Sequence, residues 1–132
     1  MPRQCLCQPA EVVIIPCGGA SNCGLVTTEA AVQLTEDGRG EVFCLAGLGA
    51  HDPQMTDTAR QASRLFVIDG CSLQCARKTV EHAGLRVTDH LDLAAEGLRK
   101  CRDFRRVQQN VLFIVKLAKR MLSEPPKGVT AG

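Results

Sequence analysis

The sequence contains very few aromatic side chains: its 132 residues include no Trp, no Tyr and only 4 Phe. Proteins that bind single-stranded nucleic acid usually stack its bases on aromatic rings, so this composition argues against nucleic acid as a partner. The net charge is also small, +2 from 16 basic and 14 acidic residues. We therefore expect no strong electrostatic field that would draw the chain to nucleic acid or to a membrane surface.

Long apolar runs are missing as well. No run approaches the roughly 18 residues that a membrane-spanning helix needs. The first residues, MPRQCLC, lack the apolar core of a signal peptide. These absences predict a cytoplasmic protein with no membrane segment, and the chain length suits one domain with a hydrophobic core.

Cysteine, in contrast, is abundant, with 8 residues in the chain. Small secreted proteins use many cysteines for disulfides. In the reducing cytoplasm that we expect here, clustered thiols favour metal binding or redox chemistry instead.

Three of the cysteines are evenly spaced. Cys17, Cys44 and Cys71 each follow a short apolar run and lie 27 residues apart. Such an interval holds one strand, one helix and two loops, and the intervening segments show helical spacing of apolar residues. The sequence therefore predicts an α/β fold with a small, mostly parallel sheet of about four strands and flanking helices. The expected arrangement has three layers, as in Rossmann-like and flavodoxin-like folds.

The apolar runs and turn residues also predict element boundaries. Strands are expected at 12–16, 41–45 and 65–68, with a weaker fourth strand near 85–88. Helices are expected from Ser21 or Asn22 to about Thr35, from Pro53 after the cap Asp52, between Cys71 and Gly84, and from Phe104 to Leu122.

The chain divides into an arm, a domain and a tail. Residues 1–10 form an N-terminal arm, and residues 11–122 form the cysteine-rich domain, which includes the C-terminal helix at 104–122. Residues 123–132 are expected to be disordered, because prolines and glycines are frequent there. The apolar residues 111–115 are too many for one helical stripe, so they either pack on the sheet or form a homodimer surface.

The carboxyl ends of parallel strands meet at one edge of a sheet, so Cys17, Cys44 and Cys71 should share that edge. Cys75 lies one helical turn after Cys71 and is expected on the same side. Four thiolates suit tetrahedral zinc, which predicts a zinc site formed by these four cysteines. Cys23, at the start of the first helix, is a fifth candidate ligand.

The arm carries a further pair, Cys5 and Cys7. This pair could complete the metal site by folding over the sheet edge, or it could carry a disulfide or persulfide to the other thiols. Cys101 stands alone in a basic stretch and is interpreted as a bystander.

The cysteines leave three functions open. An all-thiolate zinc shell has no free coordination position, which favours metal storage, delivery or a structural role over hydrolysis. Thiol-dependent redox chemistry or sulfur transfer is the alternative, because Cys23 and Cys75 lie in first helical turns, where the backbone favours a thiolate. An iron–sulfur cluster is the third alternative, since four cysteines also bind such a cluster. The sequence names no catalytic residue.

Other polar residues have simpler interpretations. Asp69 is expected to cap its turn by accepting backbone hydrogen bonds. His51 follows the second cysteine closely enough to be a ligand or proton donor, although loop histidines are more often only exposed. His82 and His90 are expected in solvent. The basic run at 99–106 is expected to be a solvated helix face; contact with an acidic partner or an RNA backbone is the alternative, which the lack of aromatic residues weakens.

Three motifs carry a family resemblance: Cys17-Gly-Gly-Ala, Phe43-Cys44-Leu-Ala-Gly-Leu-Gly and Asp69-Gly70-Cys71-x3-Cys75. In this order they resemble the DGC-domain family, whose members are often described as zinc-binding proteins. The resemblance spans about residues 5–92. It implies that the cysteines are the functional residues and that zinc is the metal, and it implies no particular reaction.

Overall fold

The centre of the domain is a four-stranded sheet. The computed structural model describes residues 9–129 and gives the strands as β1 (Val12–Pro16), β2 (Glu41–Val42), β3 (Arg64–Asp69) and β4 (Asp89–Asp92). Their spatial order is β2-β1-β3-β4, and every neighbouring pair is parallel. The two inner strands, β1 and β3, are almost entirely buried, as expected for parallel strands covered on both faces. The predicted α/β fold is confirmed.

Within residues 9–129, five helices connect or flank the strands: α1 (Asn22–Glu36), α2 (Leu45–Gly49), α3 (Pro53–Arg60), α4 (Cys75–His82) and α5 (Val107–Leu122). Two of them begin at the predicted caps. Ser21 Oγ accepts a hydrogen bond of 3.2 Å from the Gly24 amide at the start of α1. Asp52 accepts one of 2.9 Å from the Met55 amide at the start of α3. These bonds satisfy amides that have no partner inside the helix.

Alternate strand residues pack on opposite faces of the sheet. Ile14 and Phe66 belong to the cluster formed with α1 and α5. Val13 and Val67 belong to a second cluster on the other face, which α2, α3 and α4 complete. The residues contributed by those three helices are Leu48, Ala59, Ala76 and Val80. The sheet is therefore the middle of three layers, as predicted.

The connections leave β1 and β3 in opposite directions. From β1 the chain adds β2 on one side, and it later adds β3 and β4 on the other side. The helix after β1 covers one face, whereas the helix after β3 covers the other. In open parallel sheets, ligands bind in the crevice at the carboxyl ends of such a strand pair. The topology alone therefore directs attention to the residues that follow β1 and β3.

Four features of the elements differ from those expected. β2 ends at Val42, and the expected loop over 46–50 is largely helix α2. The fourth strand begins at Asp89 rather than near Leu85, and the apolar residues Leu85 and Val87 are buried in the cluster that α4 completes. α5 begins after Phe104, whose side chain is 42% exposed.

β4 is polar because its side chains have buried partners. Asp89 accepts two hydrogen bonds from the Arg64 guanidinium, at 3.1 Å and 3.0 Å. The same guanidinium donates to the carbonyls of Leu122 and Glu124 at the end of α5. Bidentate pairs of this kind are strongly oriented. A strand stabilised in this way lacks the apolar alternation on which sequence patterns depend.

The segment after α5 returns to the sheet. The amides of Lys127 and Gly128 donate to the Thr88 carbonyl at 3.1 Å and 2.9 Å, and Val129 packs against the second cluster. Part of the segment expected to be a disordered tail therefore contacts the domain. Residues 1–8, with Cys5 and Cys7, and residues 130–132 lie outside the described residues. Between residues 9 and 129, no helix is both long and apolar enough to cross a membrane.

Candidate functional site

Three cysteines lie at the carboxyl edge of the sheet, each after a different strand. Cys17 directly follows β1, and its amide donates to the Ile68 carbonyl at 2.9 Å. Cys44 follows β2 and occupies the position before α2. Cys71 follows β3 in the turn that precedes α4. Because β1, β2 and β3 are adjacent and parallel, the shared edge predicted from the 27-residue interval is what the fold contains.

A cavity of about 110 Å³ opens between the ends of β1 and β3. Three thiols line it, those of Cys17, Cys71 and Cys75. The other lining residues are Gly19, Ala20, Ser21, Gly24, Asp69, Gly70, Leu73 and Lys100. Cys44 and Cys23 are not among them. The crevice at the carboxyl ends of β1 and β3 is therefore lined by three of the cysteines.

Lys100 is the cation of this cavity. Its Nζ lies 3.7 Å from Cys71 Sγ, as a donor to the sulfur. A neighbouring ammonium group stabilises negative charge on sulfur, and the thiolate is the nucleophilic form of cysteine. Cys17 Sγ has a neutral partner instead, the Thr27 hydroxyl at 3.6 Å. The sulfurs of Cys71 and Cys17 in this cavity therefore differ in their partners, a charged ammonium group for one and a neutral hydroxyl group for the other.

Asn22 holds the segment that carries Lys100. The Asn22 side-chain amide donates to the Arg99 carbonyl at 2.9 Å, and its oxygen accepts from the Cys101 amide at 2.7 Å. The Asn22 backbone amide also donates to the Cys101 carbonyl at 3.1 Å. These three bonds fix the residues on both sides of Lys100. Asn22 is only 7% exposed, so little water competes for them.

Asp69 holds the start of α4, which carries Cys75. Its two carboxylate oxygens accept from the Ala76 amide at 2.8 Å and the Arg77 amide at 3.1 Å. The expected capping role of Asp69 is confirmed. His90 Nε2 lies 2.8 Å from the same carboxylate, and the His90 side chain is only 8% exposed. The expectation of a solvent-exposed His90 is wrong, because β4 lies further along the chain than its apolar neighbours suggested.

Cys23 lies beneath the cavity, fully buried in the first core cluster. Burial raises the pKa of the Cys23 thiol, the nearby thiols of Cys101, Cys71 and Cys17 raise it further, and Lys100 opposes them. This raised pKa runs against the expectation that the first turn of α1 favours a thiolate at Cys23, because burial disfavours the charged form.

Two glycines allow the cavity walls to approach each other. A methyl group at Gly24 would overlap the Gly19 carbonyl. One at Gly70 would lie 3.1 Å from backbone atoms of Cys23 and Gly24. The turns that follow Cys17 and precede Cys71 therefore each pack against the backbone at the start of α1, which requires residues without side chains.

The described residues do not form a complete metal site as they are placed. Between residues 9 and 129, no three His, Cys, Asp or Glu side chains are close enough together to hold an ion. The Lys100 ammonium lies against Cys71, where it would oppose a bound cation. His51 and His82 form a separate ring pair, with centroids 5.2 Å apart. The side chains as placed between residues 9 and 129 therefore do not assemble the four-cysteine zinc site, and the ligand set stays a prediction.

Three residues of the site were not singled out from the sequence. Lys100 belongs to a basic run that predicts a solvated face, Asn22 has only the pattern of a helix cap, and the polar neighbours of His90 predict exposure to solvent. Their partners lie far away along the chain, as the separation between Asn22 and Cys101 illustrates. No local pattern reports such contacts.

A parallel α/β domain with a thiol-lined cavity at the switch point of its sheet is the class that the fold and site define. The DGC domain matches residues 13–116, and the chain belongs to the DGC domain family. It is 30% identical over 88 residues to the anaerobic and virulence modulator AnvM of Pseudomonas aeruginosa, which covers 67% of each chain. No solved structure matches the chain. The resemblance to this family noted from the three cysteine motifs is confirmed.

Proposed function

We propose that this chain is a thiol-dependent redox protein in which Cys71 is the reacting sulfur. The observation that carries the proposal is the position of Lys100, whose Nζ lies 3.7 Å from Cys71 Sγ in a cavity that two further thiols line. The relative in P. aeruginosa is named an anaerobic and virulence modulator. A role linked to oxygen suits reactive thiols, since their oxidation state follows the availability of oxidants.

The proposed reaction is thiol–disulfide exchange with a disulfide on another molecule. The Cys71 thiolate attacks one sulfur, the substrate S–S bond breaks, and a mixed disulfide forms. The leaving sulfur departs as a thiolate and takes a proton from solvent. The Cys75 thiol loses its proton to solvent and attacks the Cys71 sulfur, which releases the second substrate thiolate. The substrate gains two electrons, and the domain keeps a Cys71–Cys75 disulfide.

The elements around the cavity suit this sequence of steps. Lys100 stabilises the Cys71 thiolate both when it attacks and when it leaves. Cys75 is exposed at the start of α4 and lines the same cavity, so it is placed to resolve the mixed disulfide. Cys17, half-buried and bonded to Thr27, is the alternative resolving thiol.

Metal binding is the second candidate, and one observation favours it: Cys17, Cys71 and Cys75 line a single cavity. Thiolates are good zinc ligands, and the same donors suit an iron–sulfur cluster. A complete shell would require a different side-chain arrangement or further donors, such as Cys44 at the same sheet edge. Zinc is the metal that we predict for this second candidate. The cytoplasmic location stays a prediction from the sequence.

Purification without oxygen distinguishes the two candidates. We expect the purified protein to contain no stoichiometric metal. Treatment with glutathione disulfide should then form a disulfide between Cys71 and Cys75, which peptide mass mapping identifies. Cys71→Ser should abolish the first step, whereas Cys75→Ser should accumulate the mixed disulfide. Cys101→Ser is the matched control, since that thiol is exposed but outside the cavity.

The contrary results are equally specific. About one zinc per chain with the cavity thiols masked would replace the redox proposal with zinc binding. Iron with acid-labile sulfide would indicate a cluster. A stable persulfide on Cys71 would indicate sulfur transfer, the other thiol chemistry that the sequence left open.

A further inference from the structure

The segment between β4 and α5 concentrates the positive charge of the molecule. We call residues 99–106 the basic loop; they include five cations and one acid, Asp103. Their net charge of +4 exceeds the +2 of the entire chain, so the remaining residues sum to −2. All eight residues of the basic loop lie outside helices and strands, and all eight are exposed. The excess of positive over negative charge in the sequence therefore lies in the basic loop.

Most of this charge is not neutralised within the domain. Arg105 pairs with Asp103 at 2.7 Å. Arg99, Arg102 and Arg106 form no ion pair within residues 9–129. Arginine forks match carboxylates in a bidentate manner, so these side chains are suited to an acidic partner.

The basic loop also has a defined position relative to the thiols. Asn22 fixes Arg99 and Cys101 with three hydrogen bonds, and Lys100 between them reaches the cavity. The loop is thus the rim of the cavity on one side. Phe104 in the same loop exposes 42% of its surface and offers an apolar contact beside the cations.

We infer that the basic loop docks an acidic polypeptide segment, which presents a protein disulfide to Cys71. This inference rests on the proposed redox function, because the occupant is the substrate of that reaction. A polypeptide is favoured over nucleic acid for two reasons. The reaction needs a disulfide, which nucleic acid lacks, and the chain has no Trp or Tyr on which bases would stack.

The test uses three peptides of equal length, each with one cysteine activated as a thionitrobenzoate mixed disulfide. The flanking residues are Glu, Gln or Lys, and the rate of thionitrobenzoate release is measured. At low ionic strength we expect the Glu peptide to react about tenfold faster than the Gln peptide, because complementary charge steers association. The advantage should shrink at high salt, which screens exposed charges.

Charge reversals test whether the basic loop is responsible. Arg102→Glu with Arg106→Glu should remove the preference for the Glu peptide and favour the Lys peptide. The matched control is Arg39→Glu with Arg86→Glu, an equal change in charge on exposed residues that precede β2 and β4, at the opposite sheet edge. That control should keep the preference. Reaction with the small neutral hydroxyethyl disulfide should be the same in the Arg39→Glu, Arg86→Glu control as in the wild type.

The possible outcomes distinguish failure of the docking inference from failure of the proposed redox function. Equal rates for the Glu and Lys peptides, with normal reaction of hydroxyethyl disulfide, would overturn the docking inference alone. If no disulfide reacts at Cys71, the redox proposal fails. The docking inference is then tested separately with a Glu peptide in which serine replaces the cysteine, and fluorescence anisotropy measures its binding. Absent binding, or stronger binding of a DNA oligonucleotide of equal charge, would overturn it.

Discussion

The His90 imidazole lies 2.8 Å from the Asp69 carboxylate, across the neighbouring strands β4 and β3. The same carboxylate accepts hydrogen bonds from the Ala76 and Arg77 amides in the first turn of α4. Gln74, which precedes α4, has a left-handed φ of 57° and offers no side-chain cap, so the helix depends on Asp69. One buried carboxylate therefore joins β3, β4 and α4 directly behind the turn that holds Cys71.

We expect Asp69→Ala to destabilise the domain by about 2–4 kcal/mol, because it leaves His90 and two helix amides without their partner. Asp52→Ala is the matched control. Asp52 also caps a helix, but it is exposed, so its loss should cost only about 1 kcal/mol. Urea denaturation monitored by circular dichroism measures both free energies of unfolding. Equal losses would mean that the Asp69–His90 contact contributes nothing beyond capping.

The sequence allowed the fold to be predicted where local signals decide the structure. The β-branched run 12–16 is a strand with the expected bounds, and Ser21 and Asp52 cap the expected helices. The even spacing of Cys17, Cys44 and Cys71 located the sheet edge, because a repeated strand–helix unit returns the chain to the same side. Each of these inferences depends on residues close together along the chain.

The parts that could not be predicted depend on distant partners. The sequence around His90 predicts a solvent-exposed side chain, because nothing local indicates its contact with Asp69. The sequence does not distinguish Lys100 from the other cations of its run, because the hydrogen bonds of Asn22 that position this segment come from a distant part of the chain. Cys44 shares the sheet edge but not the cavity, since the strand order does not determine where a side chain ends. Elements follow from local chemistry, whereas the site follows from contacts between elements.

The role of Asn22 predicts how Cys71 reactivity should change. Asn22→Ala frees the loop on both sides of Lys100, so the ammonium should spend less time beside Cys71. We expect Asn22→Ala and Lys100→Met to slow alkylation of Cys71 by iodoacetamide at neutral pH to a similar, several-fold extent. Residue-resolved mass spectrometry gives the rates.

A double variant tests whether Asn22 acts through Lys100. If it does, Asn22→Ala with Lys100→Met should be no slower than Lys100→Met alone, because coupled residues are not additive. Arg99→Met removes a neighbouring cation but keeps the carbonyl that Asn22 binds, so it should leave the rate nearly unchanged. Additive effects in the double variant would assign Asn22 an independent structural role.

The close approach of the Gly19 carbonyl to the start of α1 predicts an unusual sensitivity at Gly24. Gly24→Ala places a methyl group on the Gly19 carbonyl, so backbone must move, and we expect a loss of about 3 kcal/mol or more. Gly49→Ala in α2 is the control, because its methyl group would make only an ordinary contact of 3.5 Å with Thr79. Alanine favours helix over glycine, so this change should be neutral or stabilising. Thermal unfolding compares the two, and similar melting temperatures would contradict the predicted overlap.

Cys23 predicts a dependence of stability on alkaline pH. Burial raises the pKa of this thiol in the folded state. Above about pH 9 the unfolded chain loses the Cys23 proton while the folded chain keeps it. The unfolded state then binds fewer protons, so the free energy of unfolding should fall as the pH rises, by at most about 1.4 kcal/mol per pH unit from this group.

The Cys23 contribution can be isolated by a difference measurement. The free energy of unfolding of the wild type minus that of Cys23→Ala should be constant near neutral pH and should decrease between about pH 9 and the raised pKa. Val26→Ala is the control, since it removes buried atoms from the same helix without a titrating group. Its difference from the wild type should not vary with pH. Urea titrations with a phosphine reductant keep all thiols reduced, and parallel pH profiles for the two variants would show that Cys23 does not stay protonated in the fold.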